Sequence, residues 1–349
     1  MDKADDILIR KQGRAGRITL NRPEALNALT WEMCLAIEDA LDAWAGDPDI
    51  ALVVIDGAGD KAFCAGGDIA EMYRRGNAGD LGYGRRFWTD EYRLNAKIAE
   101  FPKPYIAFLQ GFTMGGGVGV ACHGSHRIVC ETSRIAMPEC GIGLIPDVGG
   151  TMLLAHAPGR LGEFLGTTGH RMGPGDALLA DFADSFVPAE AWPALIERLV
   201  ETGEPAAIAT AARPAPEAAL QDRLDWIDQH FRGQTIGDVL RGLDDSPIAA
   251  ETRKALLGNS PLAVACAYEA IGRVRGTKGI RAALEMEYRF TYRAVAESDF
   301  IEGIRAAIID KDRKPAWRHA APEDVTPAET AHMLAPLGAD RLGFDRRET

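Results

Sequence analysis

The sequence predicts an α/β fold with crossover connections, followed by a helical C-terminal region. Three observations carry this expectation. Strand-like and helix-like segments alternate up to about Gly162, the runs Ile50 to Asp56 and Tyr105 to Leu109 are almost wholly apolar, and each leads on to a glycine-rich turn that opens a helical segment. An apolar run that does not alternate suits a strand buried on both faces of a sheet.

The chain opens as a hairpin, with Ile7 to Ile9 and Arg17 to Leu20 as strands and Gly13 to Gly16 as the turn. Asn21-Arg22-Pro23 breaks that run. Thr30 then caps a helix in which Trp31, Cys34, Ile37, Leu41 and Trp44 recur at helical spacing, ending near Gly46-Asp47-Pro48. The strand Ile50 to Asp56 and the segment Lys61 to Asp68 complete a first β-α-β unit. A polar, mostly helical stretch from Ile69 to Glu100 and the prolines 102 and 104 precede the second. That unit has a strand at Tyr105 to Leu109, a turn at Gly111 to Gly117, a short helix at Val118 to His123 and a strand at His126 to Cys130. Ile135 to Gly150 reads as short strands and loops, and the chain beyond is helical and alanine-rich. The expected division is an α/β core at 1–185 and a mostly helical region at 186–349 that covers the site.

Bulk properties narrow the functional classes. A chain of 349 residues with 46% hydrophobic residues buries a sizeable core without disulfide staples. No apolar run approaches the roughly 20 residues of a bilayer crossing, so no membrane partner is expected. The net charge of −12 opposes nonspecific binding to nucleic acid. Six cysteines stand in apolar surroundings without a C-x-x-C pair, which reads as buried thiols and no metal. Met1 to Lys11 lacks the apolar core of a secretory signal and is too acidic for a mitochondrial transit peptide, so a cytoplasmic protein is expected.

The chemistry is concentrated in two turns, Ala65-Gly66-Gly67-Asp68 and Met114-Gly115-Gly116-Gly117. A helix start presents unpaired N–H groups and partial positive charge, and two such donors suit a carbonyl that gains negative charge during reaction. A dinucleotide fingerprint fails at Val120, where a third glycine is required. No G-x-S-x-G elbow occurs either.

The segments Asn21-Arg22-Pro23-Glu24-Ala25-Leu26-Asn27-Ala28-Leu29, Ala62-Phe63-Cys64-Ala65-Gly66-Gly67-Asp68-Ile69 and the glycine run Gly111 to Gly119 resemble, in order and spacing, the signatures of the crotonase (enoyl-CoA hydratase/isomerase) superfamily. The resemblance implies a ClpP-like spiral of repeated β-β-α units that binds acyl-CoA thioesters. It also implies that the N–H groups of Gly67 and Gly116 polarise the thioester carbonyl. Hydratases carry a catalytic glutamate three residues past the second glycine of the triplet, where this chain has Gly119; their second glutamate is matched by Glu139. Asp147 stands where hydratases have glycine. Glu139, Asp147 and Glu91, with the stretches Leu284 to Arg289 and Phe300 to Asp312, are similar to a thioester-hydrolysing branch of the superfamily.

That branch implies hydrolysis of 3-hydroxyisobutyryl-CoA and similar short 3-hydroxyacyl-CoA thioesters to the free acid and CoA, as in valine degradation. The alternative is an enoyl-CoA hydratase, isomerase or other superfamily reaction. Glu139 and Asp147 are the implied catalytic carboxylates, with Glu139 as nucleophile or as general base. Glu91, Arg22, Ala25, Ala65, Asp68 and Ile69 are the implied substrate-binding positions. Glu24 replaces a lysine common near the CoA phosphates, leaving Arg22 as the local cation. No cofactor is implied, CoA being part of substrate and product, and a homo-oligomer is left open.

Overall fold

The computed structural model describes residues 6–345. Met1 to Asp5, part of the segment read above for targeting, lie outside the described residues. Among the described residues nine strands form two sheets: β1 (Ile7–Gln12), β2 (Ala15–Leu20), β3 (Leu52–Gly57), β4 (Ala62–Cys64), β5 (Tyr105–Leu109), β6 (Phe112–Met114), β7 (His126–Val129), β8 (Arg134–Ala136) and β9 (Ser185–Phe186). The larger sheet has the order β1-β2-β3-β5-β7-β9 and the smaller β4-β6-β8. Among these described strands only the β1–β2 hairpin is antiparallel; every other pair is parallel. From β3 onward, successive strands alternate between the two sheets. A strand in the large sheet, one in the small sheet and a helical segment make one turn of the spiral, repeated from β3, β5 and β7, which is the β-β-α repeat expected.

Contacts divide the chain into two compact units that interleave in sequence, at different places from a single cut at residue 185. The first contains both sheets and is built from residues up to Gly67, Arg93–Ala136 and Arg171–Gln221. Its core explains the apolar runs: Leu52, Val54, Ile106 and Phe108 of β3 and β5 pack in one cluster with Trp192 and Leu199 of the helix Trp192–Thr202. Thr30 caps the helix Trp31–Ala45 by accepting from the N–H of Met33, as its sequence predicts.

One expected turn is different. Phe112–Met114 is a strand, paired with β4 on one side and β8 on the other. Three residues between glycines are too few to show a period of two, and the pairing is supplied by strands distant in sequence.

The second unit comprises Asp68–Tyr92, Met137–His170 and the residues from Asp222 onward, and among the described residues its regular elements are helices. Its centre is the helix Pro261–Val274, whose Leu262, Val264, Cys266, Ala267, Ile271 and Val274 are buried. Ser260 caps that helix and proline occupies its first turn, where the missing N–H costs no hydrogen bond. All six cysteines are buried and none is joined in a disulfide, as expected from their apolar settings.

Candidate active site

Within the sheet-containing unit the two glycine turns leave neighbouring parallel strands. Ala62 pairs with Phe112 and Cys64 with Thr113, so Gly67 and Gly116 follow the same end of the small sheet. Gly115 has φ 49° and ψ −119°, a conformation open essentially to glycine alone, and it turns the chain from β6 into the helix Gly116–Ala121. A Cβ on Gly117 would lie 2.4 Å from the Cys64 carbonyl oxygen, so the helix start approaches β4 as closely as it does only because no side chain intervenes. Gly116 is the first residue of that helix, where an N–H has no intrahelical acceptor.

The first signature segment lies against the first turn. The Ala65 N–H donates to Leu26 O at 3.0 Å and the Leu29 N–H to Gly66 O at 2.9 Å. Asn27 is fully buried and pins the loop, accepting from the Arg22 N–H and donating to the carbonyls of Ala58 and Ala62. Arg22 donates to Ala28 O at 2.7 Å and pairs with Asp6 at 3.6 Å, so its guanidinium already braces this loop. Ala25 ends the short helical turn Pro23–Ala25 and Ala65 is half-buried.

The helical unit gathers the carboxyls. Glu91 lies on the helix Leu81–Ala99, Glu139 opens the short turn Glu139–Ile142, and Asp147 precedes the helix Gly150–His156. All three are buried, with 3–5% of their surface exposed. Burial, and then the charge of Asp147, hold both Glu91 and Glu139 well above the usual carboxyl range. Asp147 is pushed up to about 7 by burial, opposed by a hydrogen bond from Tyr92. Glu139 Oε2 is buried without a hydrogen-bond partner among the described residues, as a group that meets substrate or water would be. Asp68 and Ile69 also belong to this unit, at the start of the helix Ile69–Asn77, and both are half-buried.

Two members of this cluster were missed by sequence reasoning. The Tyr92 hydroxyl donates to Asp147 Oδ2 at 2.8 Å and lies 3.4 Å from Thr291 Oγ1. Glu287, fully buried on the helix Ile280–Glu297, accepts from the N–H groups of Gly149 and Thr151 at 2.8 and 2.9 Å and from the Thr151 hydroxyl. A signal existed: Ala283, Glu287, Thr291 and Ala294 share one face of their helix, and a glutamate on an otherwise apolar or small face requires a partner. Among the described residues no group of three or more His, Cys, Asp or Glu side chains is arranged to hold a metal ion. No helix among them is long and apolar enough to cross a membrane.

Comparison with known proteins agrees with this architecture. The sequence model of the enoyl-CoA hydratase/isomerase family matches residues 15–334. The chain is 37% identical to mitochondrial 3-hydroxyisobutyryl-CoA hydrolase of Gallus gallus, over 98% of this chain and 91% of the relative. It is 39% identical to the protein of that name from Rattus norvegicus, over 97% and 91%. Among solved structures, an enoyl-CoA hydratase from Rhodobacter sphaeroides 2.4.1 is 57% identical with a TM-score of 0.93, covering 97% of this chain and 100% of its own. A carnitinyl-CoA dehydratase from Mycobacterium thermoresistibile is 38% identical with a TM-score of 0.94, covering 99% and 100%.

These relatives correct one expectation. The cytoplasmic location read from Met1 to Lys11 is overturned by curated relatives that are named as mitochondrial, because the charge of a few terminal residues is a poor guide to the compartment of a fold shared along its whole length. A family match over residues 15–334, near-complete structural superposition and full-length likeness to curated hydrolases together show that the chain belongs to the enoyl-CoA hydratase/isomerase family, in the branch of the 3-hydroxyisobutyryl-CoA hydrolases.

Proposed function

We propose that this chain hydrolyses 3-hydroxyisobutyryl-CoA, and similar short 3-hydroxyacyl-CoA thioesters, to the free acid and CoA, the reaction of valine degradation. The observation that carries the reading is the carboxyl set. Glu91, Glu139 and Asp147 are buried in one unit, while the helix after the second glycine turn, Gly116–Ala121, has no acidic side chain. The N–H groups of Gly67 and Gly116 receive the thioester oxygen as an oxyanion hole, each such donor being worth about 10²–10³ in rate. Glu139 takes a proton from water or attacks the carbonyl itself. Its buried, raised carboxyl is a stronger base than an exposed one, and Oε2 is free of internal partners to do either. Asp147 and Glu91 bind the substrate hydroxyl and orient water. Arg22, Ala25, Ala65, Asp68 and Ile69 contribute to acyl-CoA binding, and the reaction needs no cofactor.

The 57% identical solved structure named as an enoyl-CoA hydratase favours a second reading, hydration of an enoyl-CoA. Addition of water across a double bond uses an acid and a base on two separate carboxylates, and Gly119 removes one of the two positions. Thiol release from 3-hydroxyisobutyryl-CoA, followed beside loss of double-bond absorbance from crotonyl-CoA, decides between them. Thiol release without hydration supports hydrolysis. Rapid hydration with no free thiol overturns it.

A further inference from the structure

We infer that Glu287 is a positioning residue for this reaction: it clamps the turn that carries Asp147 and supplies negative charge against which Glu139 works. The inference rests on the hydrolytic reading for its kinetic readout only.

The geometry starts at the turn. Val148 has φ 53° and Gly149 φ 80°, two consecutive left-handed residues directly after Asp147, and a β-branched side chain rarely takes the first of these. Gly150 N–H closes the turn onto Asp147 O at 2.6 Å. Such a conformation persists where the surroundings over-determine it. Glu287 provides that restraint from 138 residues away: Oε2 takes the Gly149 N–H, and Oε1 takes both the N–H and the hydroxyl of Thr151. Both carboxyl oxygens are committed, so the group touches backbone on either side of Gly150 and fixes where the Asp147 side chain points.

Asp147 is the charged group that acts on this carboxyl. Burial and Asp147 raise the Glu287 carboxyl to about 8, against the three hydrogen bonds from Thr151 and Gly149. Its charge acts in turn on Glu139 and on the Tyr92 hydroxyl. From the helix Leu81–Ala99 come Glu91 and Tyr92, from the turn Glu139–Ile142 comes Glu139, and from its own helix Tyr288 packs edge-on against Tyr92 with centroids 6.2 Å apart. No mechanism requires Glu287 to touch substrate. It acts through Asp147, and the sequence stretch Leu284 to Arg289 acquires a purpose that the proposed chemistry alone does not give it.

The test compares wild type with Glu287→Gln and Glu287→Asp, each verified as folded by circular dichroism. The readouts are the pH profile of kcat for thiol release and the carbon-13 titration of the Glu139 carboxyl, assigned by its loss in Glu139→Gln. Glutamine keeps the size, loses the charge and turns an NH2 group towards a backbone donor. We expect kcat to fall by about tenfold with little change in KM. The Glu139 midpoint, and with it the limb of the rate profile that follows Glu139, should move to lower pH by about half a unit or more, because a like charge has gone, while Asp147, which ionises before Glu287, keeps its midpoint. Aspartate keeps the charge and shortens the reach, so kcat should fall while the Glu139 midpoint stays. A folded Glu287→Gln protein with a wild-type Glu139 midpoint, or a kcat that falls only with the folded fraction, overturns the inference, as does wild-type kcat in Glu287→Asp. If wild type releases no thiol, the hydrolytic reading fails instead, and the carboxyl titration still decides whether the Glu287 charge acts on Glu139.

Discussion

Replacing Asp147 by asparagine should remove turnover and yet make the protein more stable at neutral pH. The carboxyl has a reference value of 3.8 and is raised to about 7 in the folded chain, chiefly by burial. Between those two values the folded protein binds a proton at this site that the unfolded chain has released. Stability therefore falls as pH rises through this window and levels off above about 7. Three units at about 1.4 kcal/mol each amount to about 4 kcal/mol of destabilisation at pH 8, and to about half of that or less at pH 5. Asparagine abolishes the term. It retains an oxygen for the Tyr92 hydroxyl, but exchanges a hydrogen bond to a charged group for a neutral one, a loss of about 1 kcal/mol. Ionisation outweighs the hydrogen bond, so a net gain of about 2–3 kcal/mol is expected at pH 8 and less at pH 5. Urea unfolding of both proteins at pH 5 and 8 measures it. A variant less stable than wild type at pH 8, or a difference independent of pH, would refute a buried, raised Asp147.

Further outcomes follow from the same geometry. Gly116→Pro should remove turnover, since proline has no N–H to give the thioester oxygen; near-normal kcat in a folded variant would withdraw that assignment. Glu139→Gln should lower kcat severely while CoA binding, followed by calorimetry, stays near wild type. If it stays active while Asp147→Asn is dead, the two roles are reversed. Tyr92→Phe removes a bond that favours ionised Asp147, so the acid limb of the rate profile should move up by about one pH unit; an unchanged limb contradicts the contact. In the sheet-containing unit, Glu38→Gln strips buried Arg93 of a bidentate partner and should cost about 3–5 kcal/mol in a denaturation experiment. A loss below 1 kcal/mol would mean that the pair is solvated.

What the sequence makes legible is what local chemistry determines. Thr30 caps its helix, the apolar runs at β3 and β5 are buried strands, and the glycine turns open helices, because each depends on residues within a few positions. Less local features are hidden. β6 is three residues that become a strand only because β4 and β8 flank them. The interleaving of the two units follows from long-range packing that no linker composition marks. At the site, Glu139, Asp147 and Glu91 were found through motif likeness, and the structure places them in one buried cluster. Tyr92 and Glu287 were passed over although each adjoins or lies within a quoted segment, because their partners are 55 and about 138 residues away. Arg22, read as a cation for phosphate, is engaged with the Ala28 carbonyl and Asp6.

The most direct test of the central claim is the ratio of kcat/KM for 3-hydroxyisobutyryl-CoA to that for isobutyryl-CoA, measured by thiol release with wild-type protein. Three buried carboxyls suit a substrate hydroxyl that donates a hydrogen bond, and they are left without that donor by an acyl chain lacking it. A site built in this way rejects the deoxy analogue by as much as ~10⁴. A ratio of that order, with free acid and CoA formed in equal amounts and no methacrylyl-CoA, is the predicted result. Comparable efficiency on the two thioesters would contradict the account.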